Sequence, residues 1–208
     1  MRKSRGKFIV LEGLEGVGKS TNSAFIENFL KSRGVDLVVT REPGGTDLGE
    51  EIRDLLLRKR REAVDEVAEL LLIFSARAQH LARRIIPALE AGQWVLCDRF
   101  IDSTYAYQGG GRGLDTSLVD TLKELVLKDF QPDLTFYLDI DVRLGLSRAS
   151  QRDALDRFES EQIDFFERSR AVYLQRIAEN PERYRVIDAS RNLDKIQADI
   201  SEILLAWQ

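Results

Sequence analysis

Five short stretches of this chain are apolar at nearly every position: residues 8–12 (FIVLE), 37–41 (LVVTR), 94–98 (WVLCD), 134–139 (LTFYLD) and 184–188 (YRVID). A strand with one wet face alternates apolar and polar residues. A strand buried on both faces does not, and such runs belong to parallel sheets covered by helices. Helical patterns lie between them, at about 19–32, 49–60, 64–91, 118–128, 142–151, 160–179 and 193–207. This alternation predicts an α/β fold of three layers, a five-stranded parallel sheet with helices on both faces, joined by right-handed crossovers. Sheets of this kind bind ligands beyond the carboxyl ends of their strands.

The chain has 208 residues, 43% of them hydrophobic, with no repeat, low-complexity tract or Gly/Ser linker. One domain over 1–208 is expected. The formal net charge of −4 argues against a surface built for nucleic acid. The basic opening MRKSRGK runs into the first strand with no apolar signal region, and no segment has the length of a membrane span. A single cysteine, Cys97, leaves no internal disulfide and fits a reducing cytoplasm. Set in the run WVLC, it reads as an inert buried thiol.

The chemistry begins at residues 13–20, GLEGVGKS, which satisfy G-x-x-x-x-G-K-[ST] directly after a strand and at the start of a helix. Glycines let several backbone N–H groups converge on one anion, and the helix N-terminus adds positive potential. Gly13, Leu14, Glu15, Gly16, Val17, Gly18, Lys19, Ser20 and Thr21 are therefore expected to hold a nucleotide. Lys19 would reach its β- and γ-phosphates, and the Ser20 hydroxyl would ligate Mg2+. A GTPase would normally carry N-K-x-D, which the chain lacks, and large motor ATPases need more chain. A small nucleotide or nucleoside kinase fits the length.

Four further stretches narrow the class: TREPGGT at 40–46, FSARAQ at 74–79, DRF at 98–100 followed by STYAYQGGGRG at 103–113, and SRASQRDALDRFE at 147–159. In this order and spacing, from about residue 7 to the C-terminus, they resemble the bacterial thymidylate kinases, P-loop enzymes that phosphorylate dTMP with ATP. The resemblance implies dTMP and ATP as substrates, Mg2+ as cofactor, a homodimer, and a small arginine-rich lid at about 143–158. It places Asp98 near Mg2+ in the manner of a Walker B acid, and Arg99 and Arg53 on the acceptor phosphate, where a planar fork suits a dianion. It places Phe74 on the thymine ring, Arg77 on a base carbonyl, and Thr104 and Gln108 on the pyrimidine edge. Tyr107 falls under the deoxyribose, where it would crowd a 2′-hydroxyl, and Glu15 is aimed at the acceptor 3′-hydroxyl rather than at the donor phosphates.

His80, the only histidine, has no metal-ligand partner at sequence spacing and is expected to do no chemistry. The remaining alternatives are a kinase of another nucleoside monophosphate and a P-loop switch that controls a partner protein. Between Gly13 and Gly18 there is no arginine, so the cation that offsets charge on the migrating phosphoryl group must come from elsewhere. Arg148, Arg152 and Arg157 stand in the lid stretch; Arg152 matches the catalytic lid arginine of the resembled family, and Arg148 is assigned to the donor. Arg152→Ala should lower kcat far more than it changes the dissociation constant of either nucleotide. Normal kcat with weakened ATP binding would make Arg152 a donor clamp and pass the catalytic role to Arg148.

Overall fold

A computed structural model describes residues 5–151, 157–159 and 161–207. Five strands, β1 (Phe8–Gly13), β2 (Leu37–Arg41), β3 (Trp94–Asp98), β4 (Leu134–Asp139) and β5 (Tyr184–Asp188), form one sheet in the order β2-β3-β1-β4-β5. All neighbours pair in parallel. The expected strands are all present, with β1 one residue longer than its apolar run.

The pleat explains why these runs are apolar throughout. Ile9 and Leu11 of β1, with Leu96, Phe136 and Leu138, join one core with the helices α1 (Lys19–Ser32), α8 (Ile163–Glu179) and α9 (Leu193–Trp207). Phe8, Val10, Val95 and Cys97 point to the opposite face, into a second core with α3 (Glu66–His80) and α6 (Thr116–Val126). In the three central strands, β3, β1 and β4, almost nothing is left for water on either face, so their residues are apolar with few exceptions such as Glu12 and Thr135. The edge strands β2 and β5 are only partly covered. Cys97 is buried and free, as its apolar run implied.

Capping moves several helix ends from where periodicity put them. The Thr46 hydroxyl accepts from Gly49 N and starts α2 (Asp47–Leu57) two residues early. Asp65 accepts from the Val67 and Ala68 N–H groups and starts α3. The expected single helix over 64–91 is interrupted: Leu81–Ile85 widen into a π-type turn before α4 (Ile86–Glu90). Pro87 lacks an N–H and its ring crowds the preceding turn, which forces that change of register. The helix expected at 142–151 ends sooner, as α7 (Val142–Ala149), with Asp141 as its N-cap.

Periodicity gave no helix between residues 98 and 118, yet one is there. It begins as α5 (Ile101–Thr104) and widens into a π-type turn over Tyr105–Gly111. Three consecutive glycines, Gly109, Gly110 and Gly111, argue against a helix on propensity. They are tolerated because α8 lies against them. A Cβ on Gly111 would stand 2.4 Å from the Phe165 ring, and one on Gly110 would stand 2.7 Å from a Val172 methyl. Arg168 of α8 then donates to the carbonyls of Gly110 and Gly111 at 3.0 and 2.6 Å.

Candidate active site

The carboxyl ends of β1, β2 and β3 open onto a cavity of about 520 Å³. Gly16, Gly18, Lys19, Ser20 and Thr21 form its floor, and Arg53, Arg77, Thr104, Tyr107 and Gln108 stand at its far side. The residue after β1 begins the loop that ends in α1, so the chain itself delivers the N–H groups of a helix start to this point. Gly16 and Gly18 have φ of 73° and 83°, a region that suits glycine. A Cβ on Gly16 would meet the Gly145 carbonyl of α7 at 1.9 Å, so no other residue fits there. Leu14 and Val17, both buried, pin the loop to the core.

Lys19 folds back on this loop and donates to the carbonyls of Gly13 and Leu14 at 3.1 and 2.8 Å. Burial, and then the Arg99 guanidinium, push its pKa below the usual lysine value. An anion in the cavity would offset both effects.

Arg99, just beyond β3, takes a positive φ of 70° that is uncommon for a residue with a side chain. Its guanidinium donates to Gly13 O at 3.1 Å, to Ser103 Oγ at 3.2 Å and to Glu15 Oε1 at 2.5 Å. It also lies 4.8 Å over the Tyr107 ring, whose hydroxyl donates to the same Glu15 oxygen at 2.9 Å. The carboxylate in the middle of the phosphate loop is held by Arg99 and Tyr107, with Lys19 Nζ 4.0 Å from its other oxygen.

Under Arg99 lies Glu12, fully buried at the end of β1. Oε1 accepts from the N–H groups of Phe100 and Ser103 at 2.9 and 3.2 Å; Oε2 accepts from the Ser103 and Tyr173 hydroxyls at 2.6 and 2.7 Å. Burial, and then the charge of Asp102, push its pKa up to about 7, although the hydroxyls and Arg99 oppose the rise. No motif assigns a role to Glu12, Ser103 or Tyr173, although Ser103 opens the STYAYQGGGRG stretch. The available signal was one carboxylate inside an otherwise apolar strand.

The far wall is organised by Glu42, which follows β2. Its carboxylate accepts from Arg77 Nε at 2.7 Å and meets His80 Nδ1 at 3.1 Å, and His80 Nε2 meets Thr40 Oγ1 at 2.7 Å. His80 is therefore a buried structural histidine. Arg77 also donates from Nη2 to Phe100 O at 3.1 Å, but its Nη1 is buried with no hydrogen-bond partner among the described residues. Asp98 Oδ1, in the same cavity as Ser20, is likewise buried without a partner there. An oxygen stripped of water beside a phosphate loop fits a hard divalent cation such as Mg2+.

Arg53 lines the cavity and donates from Nη1 to Pro43 O at 3.0 Å. Phe74 departs from the expectation of a ring stacked on the base: it is buried in the second core and is absent from the cavity lining, because Arg77 covers it, with Cζ 5.0 Å from the ring centre. Arg148 is turned the other way, donating to the carbonyls of Ala189 and Ser190 at 2.7 and 3.1 Å, outside the cavity lining. Arg152 lies outside the described residues. Phe158 and Glu159, the last two residues of the SRASQRDALDRFE stretch, do line the cavity.

A phosphate loop and a buried acid line one cavity with several arginines, one of which, Arg77, keeps a donor without a partner among the described residues, on a 2-3-1-4-5 parallel sheet. Together these define a P-loop nucleotide kinase with room for a second substrate beside the donor. Comparison with known proteins agrees. The thymidylate kinase family model matches residues 11–200. The thymidylate kinase of Teredinibacter turnerae is 59% identical over 97% of this chain and 98% of its own length, and that of Hahella chejuensis is 52% identical over 97% of each. The crystal structure of the Ehrlichia chaffeensis thymidylate kinase superposes with a TM-score of 0.78 at 35% identity, covering 97% of this chain and 99% of that one. The chain belongs to the thymidylate kinase family.

The raised pKa of Glu12 makes a testable link to stability. Between its ordinary value of 4.5 and about 7, the folded protein binds this proton more tightly than the unfolded chain does. Its contribution to stability is therefore full below that window and is lost as pH rises through it. Glu12→Gln removes the titration, so melting profiles from about pH 5 to 7 should show the parent losing Tm relative to the variant. Parallel profiles would mean that Glu12 is not held in this state.

Proposed function

We propose that the cavity holds dTMP and ATP across the phosphate loop, and that the chain converts them to dTDP and ADP with the residues as follows. The loop N–H groups and Lys19 bind the donor phosphates; Lys19 exchanges two loop carbonyls for phosphate oxygens. Ser20 and Asp98 would hold Mg2+, which supplies charge neutralisation between the donor phosphates. Arg99 and Arg53 take the acceptor phosphate by forked hydrogen bonds. No general base is required, because the attacking oxygen of a nucleoside monophosphate is already anionic. Rate enhancement then comes from alignment and from offsetting developing charge. Arg152 is assigned the lid contribution to that charge.

The observation that carries the assignment of the acceptor is Arg77. A buried guanidinium N–H with no acceptor costs about 1–3 kcal/mol or more. Arg77 Nη1 is such a group on a residue lining the cavity, and the carbonyl edge of a thymine base would satisfy it. Thr104 and Gln108, both buried, serve the remainder of that edge. Phe74 acts through Arg77, which it supports from behind. Glu15 and Tyr107 are assigned to the sugar, Glu15 as the acceptor for its 3′-hydroxyl.

A second copy of the chain is the proposed partner. Leu48 and Leu55 on α2, Val67 and Leu71 on α3, and Leu118 and Leu125 on α6 are exposed, and a two-fold contact would cover such residues. Cytoplasmic residence fits the reduced, buried Cys97.

A coupled assay across dTMP, dUMP, dCMP, dGMP and AMP should show dTMP preferred. Arg77→Ala should raise KM for dTMP at least about ten-fold with little change in KM for ATP, since a lost donor penalises the ligand it served. A rise for ATP alone would move the base pocket elsewhere. Sedimentation at micromolar concentration should give a dimer, and a 23.7 kDa monomer would remove the partner assignment.

A further inference from the structure

Glu69 of α3 is a fully buried carboxylate with no part in the roles assigned so far. Its Oε1 accepts from Gln108 Nε2 at 2.8 Å and from Arg112 Nε at 3.3 Å. Its Oε2 accepts from Arg157 Nη2 at 2.6 Å and from Arg112 Nη2 at 3.4 Å. Both guanidiniums are fixed from behind: Arg157 also donates to Leu56 O at 2.8 Å, and Arg112 to Glu161 Oε1 at 2.5 Å.

Both oxygens of this carboxylate accept from guanidinium N–H groups, so it presents acceptors to Gln108. The Gln108 amide has one end that donates and one that accepts. Turning its oxygen toward Glu69 would set acceptor against acceptor in a dry site, which costs far more than the hydrogen bond it would replace. The nitrogen is therefore locked on Glu69. Gln108 lines the cavity and Glu69 does not; with one N–H of the amide engaged on Glu69, the carbonyl oxygen is the end turned away from Glu69 and the acceptor this side chain can offer a base.

We infer that Glu69 is a specificity-positioning residue. By holding the Gln108 nitrogen, it makes that point of the pocket an acceptor and selects pyrimidines whose N3 carries a hydrogen over those whose N3 is itself an acceptor. Thymine is of the first kind and cytosine of the second. The inference rests on Gln108 reading the base edge. It gives Glu69 a role distinct from that of Arg77, which discriminates at the neighbouring carbonyl. Because Arg157 stands next to Phe158 of the cavity wall, the same carboxylate that sets the base reader also anchors the end of the lid stretch.

The test is the ratio of kcat/KM for dTMP to that for dCMP, with KM for ATP as a control. Gln108→Leu should lower the ratio by about ten-fold or more, as should Glu69→Gln, whose amide no longer dictates which end of Gln108 faces it. In the double variant the two losses of ratio should not add, because Glu69 acts on base discrimination through Gln108, whereas its contacts with Arg112 and Arg157 affect both substrates alike. A Glu69→Gln variant that loses dTMP and dCMP activity in proportion, or a double variant with additive losses, overturns the proposal. An unchanged ratio in Gln108→Leu removes the base reading and the proposal with it. Should Glu69→Gln fail to fold, the parent still decides. The Gln108 side-chain NH2 should be protected from exchange with water before dTMP is added, since Glu69 already holds it. Protection that appears only with dTMP would place the nitrogen on the base and refute the inference.

Discussion

The arrangement of this site depends on one buried acceptor. The Glu12 carboxylate collects two backbone N–H groups and two hydroxyls from three separate parts of the chain: the turn after β3, α5, and α8. Glu12 is also the last residue but one of β1, the strand that runs into the phosphate loop. A single carboxylate thus fixes the loop, the Arg99 turn and the helix that follows the lid stretch with respect to one another. Burial opposes its charge and wins over the hydrogen bonds that favour it, which is why its pKa rises to about 7. Four aligned donors make the position specific and leave little freedom to shift.

Above Glu12 the charges alternate. Glu12 fixes Ser103, Ser103 accepts from Arg99, and Arg99 holds Glu15, to which Tyr107 also donates. The positive φ of Arg99 belongs to this chain of contacts, since it aims the guanidinium at the loop. The Arg99 guanidinium is thereby given one direction by protein contacts alone, with Glu15 and Ser103 holding it in that orientation.

The base end follows a similar logic with different partners. Glu42 orients Arg77 and Glu69 orients Gln108, each carboxylate taking one set of donors and so deciding what remains for the ligand. Under the proposed assignments, the two side chains that would read the base are each set by a carboxylate packed behind them.

The sequence alone determined the sheet, because strands buried on both faces cannot contain polar alternation. It also determined the phosphate loop, because Gly, Lys and Ser at that spacing have few other uses after a strand. The places of Arg77, Arg99 and Asp98 followed from their motifs. Only the tertiary structure decided the rest. The helix over residues 101–111 contradicts its own glycines and exists because α8 packs where side chains would otherwise stand. Phe74 turned into the core beneath Arg77, and Arg148 turned to the carbonyls after β5, choices set by neighbours far away in sequence. The pairing of Glu12 with Tyr173 and of Glu69 with Arg157 joins residues 161 and 88 positions apart. Local propensity carries no information about such contacts, since the energy that selects them, desolvation of a carboxylate offset by donors from elsewhere in the chain, exists only once the chain has folded.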